Sequence, residues 1–239
     1  MAKFFFITIN NGMEVSKISQ NQSFTSRNSV VRDADWVMRK AKSEFPHFST
    51  TYARMNYSDI LDKNYKLNEY LVNKTDYLKL ERVLSLGSGT QFKRLKAIIS
   101  ALCDDRLGNC YEDATLADLI LKMNGVKNSY RARFLTNHGT KKIDHTVTII
   151  DKNPIDKYFN PKKIIIIDPW LGIADYADRV FKLYKTRYNN FFRMANSQQF
   201  DLQMKSQLQL TESELNYFRK EYPQFLYKSN GNHKLMSDF

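Results

Sequence analysis

Apolar residues recur at Ala114, Leu116, Ala117, Leu119, Ile120 and Met123, the spacing of one helix running on from Cys110. Asn124-Gly125 closes it, the glycine supplying a left-handed residue just past the end. Upstream, Phe4-Phe5-Phe6-Ile7-Thr8-Ile9 reads as a strand ended by Asn10-Asn11-Gly12. The polar stretch 16–29 reads as a loop. Ala34, Trp36, Val37, Met38, Ala41 and Phe45 predict a helix over 33–45 that Pro46 stops. Residues 59–80 pattern as helix in pieces, and Phe92, Leu95, Ile98, Ile99 and Leu102 predict a helix over 92–102.

Beyond Gly125 the period changes to alternation. Strands are predicted over 129–135, 142–150 and 162–168, the first two joined by the turn Asn137-His138-Gly139-Thr140. The unbroken run Ile164–Ile167 predicts a strand covered on both faces. From Tyr176 onward the pattern is mostly helical. Thr211-Glu212-Ser213-Glu214 is a capping-box signature before a helix over 215–222, which Pro223 stops. The elements together predict an α+β fold, with an N-terminal portion 1–107, a core 108–175 and a helical extension 176–239.

Composition narrows this further. A hydrophobic content of 42% over 239 residues supports a sizeable core, and 26% charged residues suit a soluble protein. The net charge of +12 suggests an acidic protein, an anionic membrane or nucleic acid as partner, but a solvated surface is the plainer reading of lysines spread through the chain, with a bias toward acidic partners second. Nucleic acid is not the expected one, because the lysines are dispersed among Asp and Glu. The basic-aromatic run Tyr176, Val180, Phe181, Tyr184 and Tyr188 with Arg179, Lys182, Lys185 and Arg187 could stack on bases. An amphipathic helix with a lysine-rich outer face is the plainer reading. Two cysteines cannot make a disulfide framework, so a reducing compartment is expected. Neither Cys nor His has zinc-site spacing, and no metal or cofactor is expected. Phe4–Ile9 is too short for a signal-peptide core or a membrane span, so the expectation is a cytoplasmic-type soluble protein without either.

Cys110 opens its helix, with Asn109 as an N-cap type and Glu112 completing a box-like arrangement. A thiolate there faces unpaired N–H groups and the positive dipole end, which makes it a usable nucleophile. The alternative is a small buried apolar residue. A thiol nucleophile needs a base, and the base a third group to fix its tautomer. His145, inside a strand, and Asp168, ending the next, supply those roles in order. His138 in a turn, His47 after Pro46 and His233 near the C-terminus compete less well. Trp170 is expected to pack over the His–Asp pair. The Cys110 N–H is the default oxyanion donor, with Gln91 as second candidate. Separately, Val83–Thr90 resembles the first motif of S-adenosylmethionine-dependent methyltransferases. Ser85 stands there where an acidic residue is usual, and Gln91 where a glycine is common.

Over Gly108–Trp170, about a quarter of the chain, the sequence resembles the transglutaminase-like branch of the papain-like cysteine superfamily. The matching elements are Gly108-Asn109-Cys110, Glu112-Asp113-Ala114, Leu119, Gly125, Ala132-Arg133, His145 and Asp168-Pro169. The resemblance implies a nucleophile helix packed on an antiparallel sheet, with extra helices at both ends. It implies Cys110 as nucleophile, His145 as general base and acid, and Asp168 as the orienting group. The activity implied is that of a thiol hydrolase or acyltransferase on amide bonds of a protein substrate: a protease, a deamidase or a transglutaminase. The Lys-, Asn- and Ile-rich composition resembles that of bacterial virulence effectors delivered into host cells by specialised secretion. An acidic host protein, in the ubiquitin or small-GTPase pathways, is the substrate so implied. Two other classes remain open: a non-catalytic protein-binding module on the same fold, and a methyltransferase.

Overall fold

The computed structural model describes residues 29–43, 89–105, 110–138, 141–151, 160–187, 201–228 and 234–236. The helices are α1 (Ser29–Ser43), α2 (Gln91–Asp105), α3 (Cys110–Met123), α4 (Ala177–Arg187) and α5 (Glu212–Glu221). The strands are β1 (Ser129–His138), β2 (Lys141–Asp151), β3 (Ile164–Asp168), β4 (Ile173–Tyr176) and β5 (Asp201–Ser206). The strand expected over 4–9, the helical pieces over 59–80 and Val83–Ser88 lie outside the described residues, as does the loop over 16–29 except Ser29.

The architecture is mixed α+β, with helices on both faces of an antiparallel sheet ordered β4-β3-β2-β1-β5. β1 and β2 form a hairpin from Ser129 opposite Ile150 to His138 opposite Lys141. The isoleucine run divides by the period of a strand. Ile165 and Ile167 join the apolar cluster built with α1, α2 and α3, while Ile164 and Ile166 join Val180 and Tyr184 of α4. Every residue of β3 is buried, as a strand covered on both faces requires.

The helix α3 is the centre of the larger cluster. It is buried continuously from Glu112 to Leu121, so its polar residues go inside with its apolar ones. Burying Leu116, Leu119, Ile120 and Leu121 contributes roughly 1.5–3 kcal/mol each. Two buried polar ties fix it on the sheet. Thr148 Oγ1 in β2 donates to the Ala114 carbonyl at 2.6 Å, and Ser129 Oγ in β1 donates to Asp118 Oδ1 at 2.6 Å. Burial pushes the Asp118 carboxyl up, while the Ser129 bond and the Lys122 and Arg131 charges pull it back. Arg131 approaches Asp118 Oδ2 at 3.9 Å and donates to Tyr111 Oη and Thr115 Oγ1.

The segment after Tyr176 departs from the mostly helical expectation. Asp201–Ser206 pairs with the outer edge of β1, with a register shift between Ala132 and Arg133. Asp-Leu-Gln-Met-Lys-Ser alternates polar and apolar, and the free edge of β1 supplies the hydrogen bonds an isolated strand lacks. The capping box forms as predicted. Thr211 Oγ1 accepts from the Glu214 N–H, and Glu214 Oε2 accepts from the Thr211 N–H.

Candidate active site

Three elements converge at the start of α3. Cys110 is the first residue of that helix and is partly exposed. His145 lies on β2, and Asp168 ends β3. Thr148 pairs with Ile167, so continuing the register sets Asp168 opposite Val147, with His145 diagonal on the same face. The diagonal is closed by a hydrogen bond: His145 Nε2 and Asp168 Oδ2 are 2.8 Å apart, both residues essentially inaccessible to solvent. The thiol of Cys110 lies near enough to the same imidazole to help keep it protonated.

The electrostatics favour a charged imidazole. Burial by itself would lower the His145 pKa, but the Asp168 charge and hydrogen bond, with those of Cys110, raise it to about 10. The carboxylate is held at both ends. Oδ1 accepts from the Leu171 N–H at 3.1 Å, within a turn where Gly172 N–H also bonds the Asp168 carbonyl. Gly172 has φ +73°, and a Cβ there would meet Lys42 Nζ at 2.6 Å. Oδ2 accepts a second donor, the hydroxyl of Tyr184 in α4, at 2.5 Å. Trp170 covers the imidazole with ring centroids 5.3 Å apart, and Tyr184 meets it edge-on at 6.2 Å.

A second acid is buried beside this group. Desolvation, then the charges of Glu112 and Asp168, hold the Asp113 carboxyl well above the usual carboxylate range, while Lys42 and His145 pull the other way. On the solvent side, Tyr111 presents its ring next to Cys110, 37% exposed, with its hydroxyl accepting from Arg131 at 3.0 Å.

Among the sequence-predicted residues, Cys110, His145, Asp168 and Trp170 are brought together. Asn109 lies outside the described residues. Gln91 is exposed at the start of α2, with its side-chain carbonyl accepting from the Gln209 N–H at 3.0 Å. Of the competing histidines, His47 and His233 lie outside the described residues, and His138 ends β1. Sequence reasoning named Tyr184 only within a basic-aromatic run and Asp113 only as a matching element, and placed neither beside the His–Asp pair. Tyr184 carried a weak signal, since it falls one helical turn after Val180 on the inward stripe.

Among the described residues, no helix is long and apolar enough to cross a membrane, and no group of three or more His, Cys, Asp or Glu could hold a metal ion. Compared with known proteins, the chain matches no family model, no curated protein and no solved structure.

Proposed function

We propose that the chain is a cysteine-dependent acyl-transfer enzyme acting on amide bonds of a protein substrate. The observation that carries this reading is the buried imidazole of His145, bonded to Asp168 and kept protonated in part by the nearby Cys110 at the start of the helix. An imidazolium stabilised by a carboxylate is the partner a nucleophilic thiolate needs.

In this reaction Cys110 Sγ attacks the amide carbon, forming a C–S bond and an oxyanion. The Cys110 backbone N–H, in the first turn where the helix supplies no acceptor, stabilises that oxyanion. Collapse breaks the C–N bond as the imidazolium gives its proton to the leaving amine. Water then attacks the thioester while neutral His145 takes its proton, releasing the acid and restoring the thiol. An amine in place of water gives transamidation by the same steps. Asp168 holds the tautomer and orientation of the ring throughout, and Trp170 shields the pair from bulk water.

The Cys–His–Asp order and the nucleophile helix on an antiparallel sheet agree with the transglutaminase-like branch of the papain-like superfamily. We read the chain as a divergent relative, delivered as an effector into a host cell. Its charge of +12 favours an acidic target protein.

The test is iodoacetamide alkylation at neutral pH, mapped by mass spectrometry, with Cys103 as the internal standard. Cys110 is expected to react much faster than Cys103 and to lose that advantage in His145→Ala. Equal rates for the two cysteines in the wild type would sink the reading and favour a non-catalytic binding module. With reactivity established, ammonia release, amine incorporation and peptide cleavage separate deamidase, transglutaminase and protease.

A further inference from the structure

Asp168 Oδ2 receives two donors, the imidazole Nε2 of His145 at 2.8 Å and the phenol of Tyr184 at 2.5 Å. Tyr184 is fully buried, so no water competes for its hydroxyl, and packing of α4 on the sheet fixes its ring. A buried aromatic hydroxyl needs a partner, and many acceptors would serve. This one is the oxygen on which the base depends.

We infer that Tyr184 is a positioning residue of the proposed reaction: its hydroxyl draws charge from the Asp168 oxygen and so sets how tightly the carboxylate holds the His145 proton. The inference rests on the acyl-transfer reading for its consequence, although the tyrosine–aspartate–histidine coupling is measurable without it. Two donors on one oxygen share its electron density, so each bond weakens the other. Without the phenol, Oδ2 turns its full charge on the imidazole. The Leu171 N–H still anchors Oδ1, which keeps the carboxylate facing His145. A ring that holds its proton too tightly is a poorer acid toward the leaving amine. Tyr184 therefore keeps His145 able to release what it carries.

The experiment compares full-length wild type with Tyr184→Phe by proton NMR, the Nε2–H resonance being assigned by its loss in His145→Ala. The resonance is expected to move downfield in Tyr184→Phe. The pH at which the imidazolium deprotonates is expected to rise by about half a unit or more. A tyrosine that only fills space would leave both unchanged, and either an unchanged or a lowered value overturns the inference. Should Tyr184→Phe fail to fold, the wild type decides. A cross-peak between a slowly exchanging phenol proton and the Nε2–H supports the shared oxygen, and its absence refutes it. The two readings fail separately. If His145→Ala leaves Cys110 alkylation unchanged, acyl transfer falls whatever the resonance does. If alkylation depends on His145 but the resonance is indifferent to Tyr184, only the positioning role falls.

Discussion

The two ends of α3 are built on opposite principles. At the C-terminal end the orphan carbonyls are all answered by neutral groups and one arginine. Val126 N–H bonds the Leu121 carbonyl and Gly125 N–H the Lys122 carbonyl, a Schellman arrangement with Gly125 at φ +84°. Asn124 Nδ2 donates to the Ile120 and Phe225 carbonyls, Asn124 Oδ1 accepts from Tyr227 N–H, and Arg219 Nε donates to the Met123 carbonyl. At the N-terminal end, Cys110, Glu112 and Asp113 crowd the first turn beside His145 and Asp168. One end is closed with good hydrogen bonds. The other gathers ionisable groups, two of which, Asp113 and His145, burial penalises in their charged forms.

If that contrast is right, substitutions at the two ends should separate activity from stability. The largest effect is at the sulfur: Cys110→Ala should lower acyl transfer at least about a thousandfold while the melting temperature stays put. A fully active Cys110→Ala protein would end the enzymatic reading. At the far end, Asn124→Ala removes three hydrogen bonds and should cost about 2–3 kcal/mol in chemical denaturation. Alkylation of Cys110 should be untouched by it. A fall in Cys110 reactivity there would show that the ends are not independent.

The pH dependence sharpens the same point. His145 titrates near 10 in the folded chain against about 6.5 unfolded, so its contribution to stability is complete below about 6.5 and is lost as pH rises through 10. Asp113, also raised, has the same sign from the ordinary carboxylate range upward. Stability measured by denaturant should therefore decline from neutral pH to 10, and His145→Ala should flatten that decline. Asn124→Ala should lower the whole curve in parallel, since an amide does not titrate. The smallest effect is Gly125→Ala, about 1 kcal/mol from its left-handed backbone, with no change in the pH profile.

The same division explains what the sequence could reveal. Periodicity was enough for α3, for the β1–β2 hairpin and for a β3 buried on both faces, because each pattern is local. The placement of Cys110 at a helix start and of His145 and Asp168 on neighbouring strands was legible for a similar reason, since helix start and strand positions follow from the pattern. Asp113 and Asp118 were not legible as buried acids, because a helix sequence does not say whether a second layer covers its polar side. Here α1, α2 and the sheet enclose it. β5 escaped because an edge strand needs only a weak apolar alternation once its partner supplies the hydrogen bonds. Tyr184 escaped because a tyrosine on an inward stripe reads as core. Its hydroxyl acquires meaning only from Asp168, which is brought beside it by folding.

The pairing of β5 with β1 and the reach of Tyr184 to Asp168 bear on how the molecule could be cut or transplanted. The stretch that carries the cysteine, histidine and aspartate ends well before either contribution arrives. A fragment stopped at residue 175 would strand β1 as an open edge, prone to pair with its neighbours in solution, and would leave the Asp168 oxygen short of a donor. The smallest portable piece must run at least through Ser206. A gene fusion, a split reporter or a limited digest that respects the motif but not that boundary would inherit the three residues without the contacts that hold them.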